Sequence, residues 1–292
     1  MLVATVADVT DVTAMSDQTR RTAALAAKVP EVTAVFWVVK VLTTGMGEAA
    51  SDWLAAHGIA LAVGVGLLGL GVTLWYQLRA DRYRPVTYWA AVAMVAVFGT
   101  MAADAIHVVL GVPYPLTSTA YALAVVVCLA VWRRVEGTLS IHSIRTRRRE
   151  LFYWATVLAT FALGTAAGDL TAITLKLGYL ESGLIFLAAI LVPWAAWRWW
   201  RLNEVVAFWA AYVLTRPLGA SFADWIAKPA TRGAGLGLGD GAVAVALVLV
   251  IAALVVWIAR SRHGVQPPQE LVAPSEFEWR TAEPRGDDQP SR

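Results

Sequence analysis

From about residue 31 to residue 260 the chain is a succession of apolar runs, each roughly 20 residues long and poor in charge. A helix of that length rises about 1.5 Å per residue and spans the roughly 30 Å hydrocarbon of a bilayer. The breaks between runs are short and carry Gly, Pro and Arg. They predict eight spanning helices, at about 31–54, 59–79, 84–109, 115–134, 150–175, 179–200, 203–227 and 240–260. The fold class expected is therefore all-α, a polytopic membrane protein.

Polar positions recur in register inside the odd-numbered runs. Phe36 to Asp52, Tyr88 to Asp104, Tyr153 to Asp169 and Phe208 to Asp224 share one frame: an aromatic pair, apolar residues, a small polar patch, a carboxylate. Trp37, Trp89, Trp154 and Trp209 each precede the Asp by fifteen positions, and Gly47, Gly99, Gly164 and Gly219 precede it by five. Ungapped agreement at three anchors marks an internal repeat. The repeats, at about 31–79, 84–134, 150–200 and 203–260, read as four two-helix hairpins. An even helix count per repeat makes the hairpins parallel, with a pseudo-symmetry axis along the membrane normal. Each Asp then lies about 22 Å along the helix from its Trp, so the Trps are expected at one membrane face and the Asps at the other.

Composition and charge sharpen this picture. A mean hydropathy of +0.60, with 58% hydrophobic and 15% charged residues, lies outside the ordinary soluble range. Fourteen tryptophans fit interfacial aromatic belts. The net charge of +3 does not indicate a nucleic-acid partner, because the basic residues lie in the links between apolar runs. Sixteen Lys and Arg flank one set of links (Arg20 through Arg262) against three on the other, Lys176, Lys228 and Arg232. By the positive-inside rule both termini are expected in the cytoplasm, with the lipid bilayer of a bacterial inner membrane as the surroundings. Residues 1–28, which lack a basic start and apolar core, read as a cytoplasmic segment, 29–262 as the membrane domain and 263–292 as a disordered cytoplasmic tail. The single Cys128 excludes an intrachain disulfide and a CxxC metal site. Oligomeric state is not set by the sequence.

Candidate chemistry concentrates in two helices. Lys40, Thr44, Glu48 and Asp52 follow at intervals of four in the first, a polar stripe on one slowly rotating face that belongs against protein or water. Glu48 and Asp52 are like charges one turn apart, an arrangement that favours a shared proton or a bound cation. The seventh helix carries Tyr212, Arg216, Asp224 and Lys228, with Pro217 expected to free a carbonyl and kink the helix. Two readings stand for Arg216: part of a polar path, or a brace to Glu48 or Asp52. Helices 3 and 5 keep Thr100 with Asp104 and Thr165 with Asp169. His57 and His107, with Asp52 and Asp104, form a candidate set for Zn²⁺ or Mn²⁺, without a tight ligand motif. No organic cofactor is expected; a bound proton or divalent cation is the cofactor option.

The strings KVPEVTAVFWVVKVLTTGMGE and LTRPLGASFADW, with the repeated Trp–Gly–Asp frame, resemble a family of uncharacterised bacterial polytopic "membrane-anchored" proteins. The resemblance covers residues 28 to about 258 and implies a polytopic inner-membrane protein; it brings no substrate or catalytic residue. Three function classes follow from the residues. Transport of a small ion or solute, by a cation-linked or proton-coupled route, leads because carboxylates and an arginine inside membrane helices mark such paths. A scaffold or ion sensor needs the same residues only as helix pairs. An enzyme, with Glu48, Asp52 and His57 as acid–base groups, lacks a nucleophile or cofactor signature and is not expected.

Overall fold

In a computed structural model, which describes residues 26–229 and 235–266, each apolar run is a helix. They are α1 (Ala34–His57), α2 (Ile59–Arg79), α3 (Pro85–Leu110), α4 (Tyr114–Glu136), α5 (Arg147–Asp169), α6 (Tyr179–Trp200), α7 (Glu204–Ala227) and α8 (Asp240–Ser261). The N-terminal segment and the tail read from sequence fall almost wholly outside the described residues. Helix ends follow local chemistry. Thr33, Thr146 and Asn203 accept backbone N–H groups at the starts of α1, α5 and α7, while Gly111 and Gly137 close α3 and α4 in the left-handed conformation. A π turn, Leu170–Thr174, follows Asp169.

Seven of these eight helices are long and apolar enough to cross a membrane. The exception is α1, where Lys40, Glu48 and Asp52 dilute the apolar run. Packing explains how it is accommodated: α1 is contacted by α2, α3, α7 and α8. The odd helices form an inner ring in the order α1, α3, α5, α7 and back to α1, and the even helices lie outside it. Half or more of the apolar stretch of α5 and α7 is buried, against less than a fifth for α2, α4 and α6. Apolar side chains such as Leu68, Leu123, Val192 and Leu249 cover the outer surface.

The hairpins are not packed units. Each even helix lies mainly on the inner helix of the following repeat: α2 on α3, α4 on α5, α6 on α7, and α8 back on α1. Contacts between the two helices of one repeat are far sparser. The four repeats therefore interlock around a closed ring.

Two layers of contact repeat around that ring. Near the helix starts, the aromatic residue before each Trp packs on the Trp of the next repeat: Phe36 on Trp89 (5.8 Å between ring centres), Tyr88 on Trp154 (5.6 Å), Tyr153 on Trp209 (6.3 Å) and Phe208 on Trp37 (5.7 Å). Trp89, Trp154 and Trp209 are consequently buried. They act as wedges between repeats rather than as lipid-facing side chains. Deeper in, each frame glycine meets the residue seven after the next Trp: Gly47 against Ala96, Gly99 against Phe161, Gly164 against Arg216 and Gly219 against Thr44. A Cβ at any of the four would overlap its neighbour, so close crossing of inner helices is what these glycines permit.

Gly219→Val should destabilise the protein by about 1–3 kcal/mol or more, because the new methyls meet the Val41 carbonyl as well as Thr44. Gly71→Val on α2, where nothing lies within 4 Å, should be nearly silent. Thermal unfolding in detergent compares the two; equal losses would contradict the crossing-point role.

Candidate functional site

The inner ring brings the polar positions of four helices to one level. Glu48, Thr100 and Thr165 occupy the same frame position, eleven residues after Trp37, Trp89 and Trp154. Arg216 lies one turn earlier in the fourth repeat, whose matching position is Ala220. Its guanidinium reaches all three partners. Nη2 donates to Glu48 Oε2 (2.7 Å), to Thr165 Oγ1 (2.7 Å) and to Thr100 Oγ1, and Nη1 donates to the Thr44 carbonyl (3.1 Å). Arg216 is completely buried and Glu48 nearly so. An ion pair with this many charge-assisted hydrogen bonds recovers much of its desolvation cost. The Thr44 hydroxyl donates across the same crossing to the Thr215 carbonyl (3.1 Å). Helix α7 continues through Pro217, whose ring edge lies beside Gly164.

Toward the helix starts from this pair lies Lys40, also buried. Its Nζ sits over the rings of Phe161 (4.1 Å) and Tyr212 (4.3 Å) and has no hydrogen-bond acceptor among the described residues. Among the described residues, its amine is met by aromatic faces. Toward the helix ends lie the frame carboxylates. Lys228 donates to Asp52 and, at 3.0 Å, to Asp240, and lies 4.0 Å from Asp224. Glu48, Asp52 and Asp224 each offer an oxygen within 4.8 Å of the others, a group able to hold a metal ion. Asp104 and Asp169, half-buried at the ends of α3 and α5, are within electrostatic reach of Glu48. Six carboxylates, Asp240 included, thus gather at one end of the inner ring, with Lys228 and Arg216 as the cations among them.

Lys228 lies just past the end of α7. Burial acts against its ammonium, but the carboxylates of Asp52, Asp224 and Asp240 outweigh it and raise its pKa above the ordinary lysine value. A raised lysine contributes its stabilisation in full below the unfolded pKa of about 10.4 and loses it only as pH climbs through the raised value. The ammonium of Lys228 is therefore kept throughout the neutral range.

The two histidines do not join these groups. His57 Nδ1 bonds the Trp53 carbonyl (2.7 Å) and the ring packs at a tilt against Trp53. His107 Nδ1 bonds the Val112 carbonyl (2.7 Å) and stacks on Tyr114. Of the four residues grouped from sequence as a metal set, only Asp52 belongs to the three-carboxylate group. The expected Lys40–Thr44–Glu48–Asp52 stripe does lie along the α1 face toward α7 at Thr44, Glu48 and Asp52.

A second buried polar cluster was not foreseen. Lys28 pairs with Glu150 (2.8 Å), and Gln77 donates to Glu150 (2.9 Å) and to the Lys28 carbonyl (3.3 Å), all three buried. Sequence reasoning treated Lys28 as a flanking charge. The available signal was Glu150 itself, one acid closing a run of three arginines at a helix start.

Comparison with family models matches the Repeat of Unknown Function (DUF347) at residues 35–83, 87–138, 152–202 and 207–263. The chain belongs to the DUF347 repeat family. Each match takes in one inner helix and the outer helix after it, so a DUF347 repeat is one sector of the ring. Comparison with curated proteins and with solved structures found no match.

Proposed function

We propose that this protein is an integral membrane transporter of a small ion or solute, with its path along the axis between the four inner helices. The observation that carries this reading is the buried polar column at that axis: the carboxylate end, the Arg216–Glu48 pair, and Lys40 below it. Charged groups are costly inside a membrane and are kept there mainly where they serve a path or a pair. In this reading the arrangement is a closed gate. Arg216 occupies the place where a cation or proton would neutralise Glu48, and exchange between them couples occupancy to opening. Transport is a better fit than catalysis, since no nucleophile or cofactor motif of known spacing accompanies the carboxylates in the sequence. The bacterial inner membrane, with both termini cytoplasmic and the carboxylate end outward, is the setting that the loop charges favour.

A non-transporting scaffold or ion sensor is the second reading. The compactness of the Arg216 hydrogen-bond set favours it, because a permanent brace has this form.

Flux separates the two. Sealed proteoliposomes are to be screened for uptake and efflux of protons, monovalent cations and divalent metals, beside Glu48→Gln. A specific flux whose pH dependence is flattened in Glu48→Gln supports the gate. A flux unchanged in Glu48→Gln removes Glu48 from the path, and no flux from folded, oriented protein favours the scaffold or sensor.

A further inference from the structure

A cavity of about 560 Å³ opens at the end of the inner ring opposite the carboxylates. Trp37 of α1, Phe208 of α7, and Trp194 and Trp197 of α6 form its wall. Its volume is in the range of small-molecule sites, roughly 300–1,000 Å³, and its wall is aromatic as such sites commonly are. The mouth is polar, with Glu31 from the segment before α1, Glu204 from the first turn of α7, and His142 from the link between α4 and α5.

The charge at this mouth runs against its surroundings. Among the described residues, fourteen Lys and Arg of the links lie at this end of the helices, from Lys28 to Arg262. None of them lines the cavity; its lining contains two carboxylates and no Lys or Arg. Among the described residues Glu31 has no ion-pair partner and the carboxylate of Glu204 has His142 alone, at 4.0 Å. Both are exposed rather than buried in a brace. A groove that only accommodates lipid tails has no use for acids, which repel the anionic headgroups common at that face. Aromatic walls and unneutralised carboxylates together select one class of molecule: a cation with apolar arms, its charge held near Glu31 and Glu204 and its arms on the indole and phenyl faces.

We propose that this cavity is a binding site for lipophilic monocations, such as quaternary ammonium or phosphonium compounds. The proposal concerns binding and holds whether or not the protein transports anything.

A pair of probes of like shape and opposite charge tests it. Tetraphenylphosphonium and tetraphenylborate are to be measured by equilibrium binding to the full chain in phosphatidylcholine nanodiscs, with empty discs subtracted. The expected result is saturable binding of one tetraphenylphosphonium per protein, at least tenfold tighter than tetraphenylborate. Glu31→Gln/Glu204→Gln, at two exposed positions that do not threaten folding, should weaken the phosphonium about tenfold and leave the borate unchanged or improved. Trp194→Ala should weaken both. Equal affinities for the two probes, or an unaltered phosphonium affinity in the double variant, would overturn cation selection and leave a groove for bilayer lipid. Absence of saturable binding would overturn the site altogether.

Discussion

Arg216→Met should cost about 3–5 kcal/mol of stability, because it strands the Glu48 carboxylate in the core beside the like charges of Asp52 and Asp224. The guanidinium is the common partner of α1, α3 and α5, so its loss unties three inner helices from the fourth. Thermal denaturation followed by size-exclusion in detergent reads the effect. The informative companion is Arg216→Met/Glu48→Met. Removing both charges replaces an ion pair with apolar volume, and such replacements are often neutral or stabilising. The double variant should therefore recover most of the lost stability. If its stability returns together with any flux seen in the parent protein, the pair is a brace and nothing more. If stability returns but flux does not, the pair belongs to the path. A single variant as stable as the parent would contradict the geometry from which both readings start.

How far this arrangement was legible in the sequence depends on what each feature requires. Spacing within one helix was enough for the α1 stripe, and the four-residue steps placed Glu48 and Arg216 at comparable depths, so their pairing was one of the two readings available. The convergence of Thr100 and Thr165 on the same guanidinium was not, because it needs the cyclic order of helices. Period and hydropathy say which face of a helix is polar but not which neighbour meets it. The same gap explains the hairpins. Short links between helices suggested contact within each repeat, whereas the aromatic and glycine positions of one inner helix are complementary to those of the next. That complementarity draws the outer helices onto the following repeat. The interfacial preference of tryptophan concerns depth along the helix, and burial between repeats at three of the four frame positions depends on the neighbouring helix instead. For His57 and His107, a nearby backbone carbonyl and an aromatic face satisfy the imidazole locally, which residue type and spacing to Asp could not reveal.

Breaking the Lys28–Glu150 pair should have an effect as large as that at Arg216 and of a different kind. Glu150 is fully buried, and Lys28 Nζ and Gln77 both donate to it. The surrounding backbone makes this cluster a junction: Lys28 N–H donates to Ile144, Tyr83 N–H to Ala27, Glu31 N–H to Gly264, and Gln266 to Val29 and Pro30. The segment before α1 is thereby tied to the α2–α3 link, the α4–α5 link and the chain after α8. Glu150→Ala leaves a buried ammonium unpaired and takes one of two acceptors from the Gln77 amide, for an expected loss of about 3–5 kcal/mol. Lys28→Met/Glu150→Met should restore much of it, since the positions can pack as apolar volume. The site lies fifteen residues from Thr165 along α5, about 22 Å as helix, so it is remote from the Arg216 group. In the double variant, any flux and its pH profile should match the parent while thermal stability is regained. A double variant that is stable but inactive would place this junction in the working cycle, and the axis alone would no longer account for the gate.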